Sequence, residues 1–306
     1  MNHGLRGWPA GLPVAEWRGT HDTLHMWMQI VGKTRLGLAP SENHWWHVAL
    51  YVSARGLTTT PIPYGAGTFE VEFDFIDHRL VVKTSDGSVR DIALRPQPVA
   101  EFYREYMGVL GGLGIAVKLW PVPVEVDGPI PFAEDRIHAS YDAAHAHRFF
   151  QMLALADRVT KRFKGRFLGK SSPVHFFWGA YDLALTRFSG RPAPAAEAVQ
   201  SAMMREAMSH EEISVGFWPG GGSVQEPAFY AYARPEPPEL ARASIRPAAA
   251  YYSRELADFI LPYEAARAAP RPDEAVLEFY QSVYAAAADL AQWDRAALDR
   301  PPAQWP

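Results

Sequence analysis

Residues 69–75 read FEVEFDF, apolar and acidic in strict alternation. That period of two describes a strand with one face in a core and the other in water. An amphipathic helix would repeat its apolar positions at three and four instead. The pattern continues through IDHRLVVKTSDGSVRDIAL, with SDGS at 85–88 as the turn of a hairpin. An antiparallel meander of this kind needs a second layer to cover its apolar face.

Helices are available to supply it. TLHMWMQIVGKTRL (23–36) puts Leu24, Trp27, Met28 and Val31 on one face, with Thr20 or Asp22 as the cap. VAEFYREYMGVLGGLG (99–114) does the same with Val99, Phe102, Tyr106, Leu110 and Leu113, and its GGLG reads as a C-cap. Between the first helix and the meander, HWWHVALYVSA reads as a strand.

The second half replays this order. A long helix is expected over 141–168, then a strand or hairpin in VHFFWGAYDLALTRF (174–188). Strands follow in EISVGFWPGGG and AFYAYARPEP, and a last helix starts after Pro272. VAEFYREYM (99–107) aligns with VLEFYQSVY (276–284), and HWWHVA (44–49) with HFFWGA (175–180). The expected fold is α+β: antiparallel sheets with flanking helices, built as two related αβ repeats about a pseudo-twofold axis. Residues 1–16 form an extension, 17–126 the first repeat and 127–295 the second, with insertions near 189–212 and 234–248 and a tail at 296–306. VQSAMMREAM, inside the first insertion, reads as a short helix. The cleft between repeats is the expected pocket.

Composition excludes several functions. A chain of 306 residues, 48% hydrophobic and 21% charged, can bury a large core. Its net charge is −4 and its longest basic run is the mixed KRFKGR at 161–166, so a nucleic-acid partner is not expected. Cysteine is absent, which removes disulfides, thiolate metal sites and thiol catalysis. No apolar run approaches the roughly 20 residues of a membrane span, and the first residues lack the apolar core of a secretion signal. A cytoplasmic protein without a membrane partner is expected.

The chemistry then rests on histidines, carboxylates and a few cations. His21 and His25 are spaced to share a helix face, as two ligands of one metal would be. His44 and His47 would diverge on a strand, so they make no site alone. His175 occupies the place of His44 in the second repeat, and the pair could converge across a shared cleft. Metal ligation is therefore expected from His25, His47 and His175, with His44 as an alternative, toward iron, manganese, copper or zinc. The plain alternative is that these histidines pack beside aromatic cores. His210, next to Glu211 and Glu212, is a candidate general base. Asp182 lies in an apolar run, where an unpaired charge is unfavourable; it is expected to be a catalytic residue, orienting or ligating, and Arg187 and Arg191 are its expected partners or the holders of an anionic substrate. Lys170 adds a further cation, and Trp46 and Trp178 are expected to line the pocket.

Taken together, TLHMWMQIVGK, NHWWHVALYV, SARGLTTTPIP, FDFIDHRLVV, SPVHFFWGAYDLALTRFSGR, SHEEISVGFWPGG and AFYAYARPEP resemble a bacterial family catalogued as domain of unknown function 5996. The resemblance covers about residues 16–295 and implies a single soluble unit, with no activity, cofactor or catalytic residues to carry over. The leading expectation is thus an enzyme acting on a small anionic molecule in an aromatic-lined cleft. The alternative is a small-molecule binding protein without catalysis.

Overall fold

Two antiparallel sheets of six strands each follow one another along the chain. The computed structural model describes residues 7–194 and 201–305. Helix α1 (Val14–Leu38) starts at Pro13 without a side-chain cap, well before the expected start, because Val14 and Trp17 are themselves buried. Thr20, His21 and Asp22 therefore lie inside the helix. The segment expected as a strand after it is instead a 3-10 helix, Asn43–Val48. His44 and Trp45 take φ of 56° and 61°, a left-handed conformation that side chains rarely adopt. Their rings are tied to Ala207 and Glu206, contacts that hold this conformation in place.

The first sheet comprises β1 (Tyr51–Val52), β2 (Gly56–Thr58), β3 (Ile62–Tyr64), β4 (Gly67–Asp74), β5 (Arg79–Thr84) and β6 (Val89–Ala93). Its order is β1-β2-β4-β5-β6, with β3 on the far end of β4. Phe73 faces Leu80 and Val71 faces Val82, so the alternating residues of FEVEFDF do form the buried face. Helix α2 (Val99–Gly112) packs against β6 and α1. It closes with Ile115 N–H on Leu110 and Gly114 N–H on Gly111, at 2.9 and 3.0 Å, and Gly114 has φ of 74°. GGLG is thus the C-cap it was expected to be.

The second half begins with α3 (Ala143–Lys164), capped by the Asp142 side chain on the His145 N–H. Then come β7 (His175–Phe177), β8 (Asp182–Pro192), α4 (Ala202–Ala207), β9 (His210–Trp218), β10 (Ala228–Arg234), β11 (Tyr251–Ser253) and β12 (Asp258–Pro262). Helices α5 (Tyr263–Arg267), α6 (Pro272–Leu290) and α7 (Arg295–Leu298) end the chain. Sheet order is β11-β12-β10-β9-β8-β7. The expected insertion at 189–212 is largely absorbed by longer β8 and β9 strands and by α4. Residues 195–200 of it, including part of VQSAMMREAM, lie outside the described residues.

Leu50 and Phe176 exchange both backbone hydrogen bonds, at 2.9 and 2.8 Å, and this single bridge joins the sheets. Trp178 fastens the same seam. Its indole N–H donates to Val48 O at 2.8 Å, and its ring lies so close to α1 that a Cβ on Gly32 would sit 2.2 Å away. Buried apolar residues from both halves form one continuous core. Among the described residues, no helix is long and apolar enough to cross a membrane.

Candidate functional site

Strand β8 sorts its side chains by parity. Leu183, Leu185 and Arg187 face α3 and α6, while Asp182, Ala184 and Thr186 face the other way. The register places Gly216 beside Ala184, Ser214 beside Thr186, and Tyr230 beside Gly216. A Cβ on Gly216 would lie 2.4 Å from the Tyr230 hydroxyl. Glycine there lets the phenol ring lie across β9 and reach β8, where its hydroxyl donates to Asp182 Oδ2. Asp182 Oδ1 has no partner, although the residue is half-buried. Burial pushes the Asp182 carboxyl up to about 7; the Tyr230 bond offsets part of the rise, and Glu125 adds to it.

The polar row continues along this face. Thr186 Oγ1 and Ser214 Oγ are 2.6 Å apart, and the Tyr232 ring stacks on Tyr230 with 6.1 Å between centroids. Burial pushes Glu212 up to about 8 and Asp258 to about 6, against the opposing pull of Arg234, which lies 3.3 Å from Asp258. Half-buried Trp218 walls the Asp182 end.

At the opposite end of β8 a second group gathers. His44 Nδ1–H donates to Ala207 O at 2.9 Å, and its Nε2 accepts from Lys170 Nζ at 2.8 Å. Those two bonds require the neutral ring, and burial with the Lys170 charge holds its pKa below the usual value. Lys170 Nζ lies 5.5 Å from the Trp46 ring and 5.1 Å from Phe188. The His210 ring is 5.4 Å from His44, and His175 is 5.9 Å from Trp46. His175 is 1% exposed with an unpartnered Nε2. Burial, then Arg35 and Lys164, hold its pKa down to about 3. Six residues of strand separate Asp182 from Phe188, roughly 20 Å. One small molecule cannot touch both ends.

The structure thus brings His44, Trp46, Lys170, His175 and His210 together and sets Asp182 apart. Other expectations are corrected. His25 Nε2 lies 3.0 and 2.9 Å from the carbonyls of Trp178 and Gly179, and burial lowers its pKa to about 4. It is therefore tied to the backbone of the β7–β8 turn, away from His175. His47 Nδ1 accepts the Glu42 N–H at 3.2 Å within its own 3-10 turn. Among the described residues, no three His, Asp or Glu side chains are placed to share a metal ion. The ligand set His25, His47 and His175, with or without His44, does not form. His21 and His25 do share a helix face, with rings 6.5 Å apart.

Arg187 does not pair with Asp182, since five strand residues put them on opposite faces. Its guanidinium lies 3.5 Å from the Phe163 ring centroid and 4.4 Å from that of Tyr284, and burial lowers its pKa to about 9. Arg191 pairs with Glu211 at 2.6 Å and caps the end of α6 through the carbonyls of Ala291 and Gln292. His210 is oriented by Ser209 at 3.0 Å, while the Glu211 beside it is held by Arg191. Trp178 is a wedge between α1 and the seam. The sequence reading missed Tyr230, Tyr232, Thr186 and Ser214. The tyrosines at alternate positions of AFYAYAR carried the signal, since they had to share one face.

No curated protein and no solved structure matches the chain. The model of the family of unknown function DUF5996 matches residues 8–300, nearly its whole length, and the chain belongs to that family.

Proposed function

We propose that the chain is an enzyme that moves a proton to or from a small polar molecule held at the half-buried outer face of the second sheet, with Asp182 as the acid–base group and Tyr230 as the residue that positions it. The observation that carries this reading is the asymmetry of one carboxyl. Oδ2 is held by Tyr230, Oδ1 is unpartnered, and the group sits near 7, where a carboxyl can both accept and release a proton at neutral pH. Trp218, Tyr230 and Tyr232 supply aromatic walls, and half-buried Thr186, steadied by Ser214, supplies a hydroxyl for a polar substrate.

A second reading is favoured at the other end of β8. Lys170 is exposed, lies beside two aromatic rings, and has no carboxylate within 4 Å among the described residues. It would bind a small anion beside the half-buried Trp46 ring without chemistry.

The two sheets are best read as copies of one unit, 17–126 and 127–295. In support, each follows a long helix, each starts at the Leu50–Phe176 bridge and is laid down outward from it, through β10 in the second sheet, and each precedes the helix carrying Glu-Phe-Tyr.

Proton transfer can be screened before the substrate is known. Candidate metabolites are incubated with the protein in heavy water and observed by proton NMR. An exchanging carbon-bound proton loses its signal with the wild type, and Asp182→Asn abolishes the loss. Compounds that bind, never exchange, and are lost in Lys170→Ala support the second reading and sink the first.

A further inference from the structure

A large cleft lies elsewhere. About 960 Å³ opens between α6, the end of α3 and the C-terminal segment, a volume suited to a small organic ligand. Five arginines line it, Arg166, Arg246, Arg271, Arg295 and Arg300, against three carboxylates. Those carboxylates are engaged. Glu278 pairs with Arg246 at 3.2 Å, Asp299 with Arg295 at 3.0 Å, and Glu274 with Arg162, which is not part of the lining, at 3.0 Å. Arg166, Arg271 and Arg300 have no carboxylate within 4 Å among the described residues.

Arg166 is only 9% exposed. Its guanidinium lies 4.2 Å from the Trp305 ring centroid, and its Nε–H has no acceptor. Gln281, which also lines the cleft, has a buried Oε1 with no donor. Both residues line this cleft, and a buried donor and a buried acceptor without partners are each unfavourable. The donor belongs to a cation and the cleft carries two more positive than negative side chains. A phosphate monoester brings close to two negative charges and oxygens spaced for a guanidinium fork. A hydroxyl on its organic part would satisfy Gln281.

We propose that this cleft binds a hydroxyl-bearing phosphate monoester, with Arg166, Arg271 and Arg300 on the phosphate and Gln281 on the organic part. The site is independent of Asp182, and its failure would leave the reading of the sheet face untouched.

Calorimetric titration of the full chain with glycerol 3-phosphate tests it, with inorganic phosphate and glycerol as controls. Saturable binding of glycerol 3-phosphate is expected, weaker binding of inorganic phosphate, and none of glycerol. Arg166→Gln should weaken the phosphate ester by about tenfold, the scale of a lost charge-assisted hydrogen bond. Arg271 is exposed, so Arg271→Gln folds normally and should weaken binding by a similar factor. Gln281→Leu should erase the preference for glycerol 3-phosphate over inorganic phosphate. Absence of saturable binding by either phosphate, or affinity unchanged in Arg271→Gln and Arg300→Gln, overturns the proposal.

Discussion

The Tyr230 hydroxyl reaches Asp182 across a glycine, from two strands away. That bond favours the ionised carboxyl, so its loss should raise the midpoint. Carbon NMR of aspartate-labelled protein should find one carboxyl titrating near about 7 and absent from Asp182→Asn. Tyr230→Phe should move it higher. A carboxyl at Asp182 titrating near about 4 with ordinary aspartates would sink the proton-transfer reading.

Stability should fall as pH rises from 6.5 to 8. Asp182 and Glu212 have raised pKa values, about 7 and about 8. The folded state therefore binds protons there that the unfolded chain has already lost, and this stabilisation disappears as pH climbs through those values. The depressed histidines, His25 at about 4 and His175 at about 3, act in the opposite direction, but only below their unfolded value of 6.5. Between pH 6.5 and 8 the carboxylates dominate, worth about 2 kcal/mol together, and Lys33, lowered to about 8 by burial, offsets part of the loss near pH 8. Urea denaturation at the two pH values checks this, and the double variant Asp182→Asn, Glu212→Gln should flatten the dependence.

Two helical glycines should respond with opposite signs. A Cβ at Gly32 meets the Trp178 ring, and Gly32→Ala should destabilise by about 1–3 kcal/mol. Gly108 in α2 has nothing within 4 Å, and Gly108→Ala should stabilise by about 0.5–1 kcal/mol. Thermal melts of the two variants decide.

Arg187 is a buried cation held by rings and by the Phe163 carbonyl, which accepts from its guanidinium, rather than by a carboxylate, with Nε unpartnered. Its stem and plane fill space, and its charge contributes little to that packing. Arg187→Ala should cost about 3 kcal/mol through the void it leaves. Arg187→Met should fall within about 1 kcal/mol of wild type or exceed it, since the desolvated charge disappears too. Equal losses in both variants would show instead that the charge is what matters.

The elements set by local periodicity were legible in the sequence. FEVEFDF and its hairpin, the α2 helix with its glycine cap, and α6 starting at Pro272 all stand where pattern and turn chemistry put them. HWWHVALYV was not legible, because two consecutive left-handed residues there are neither glycine nor asparagine and rest on contacts from α4. Asp182 stood out as a carboxylate in an apolar run, but its partner depends on the pairing of β8, β9 and β10, and register between strands leaves little trace in one sequence. Arg187 stands at an odd spacing from Asp182, and on a strand that spacing alone separates the two.

The bridge between Leu50 and Phe176 has a consequence for how the chain avoids self-association. Strands β1 and β7 would each be an outer rim with unsatisfied backbone groups, and β7 carries the sticky sequence HFF. Each rim is occupied by the other. Neither half expressed by itself would have that protection, and both would be prone to recruit copies of themselves through the bared strand.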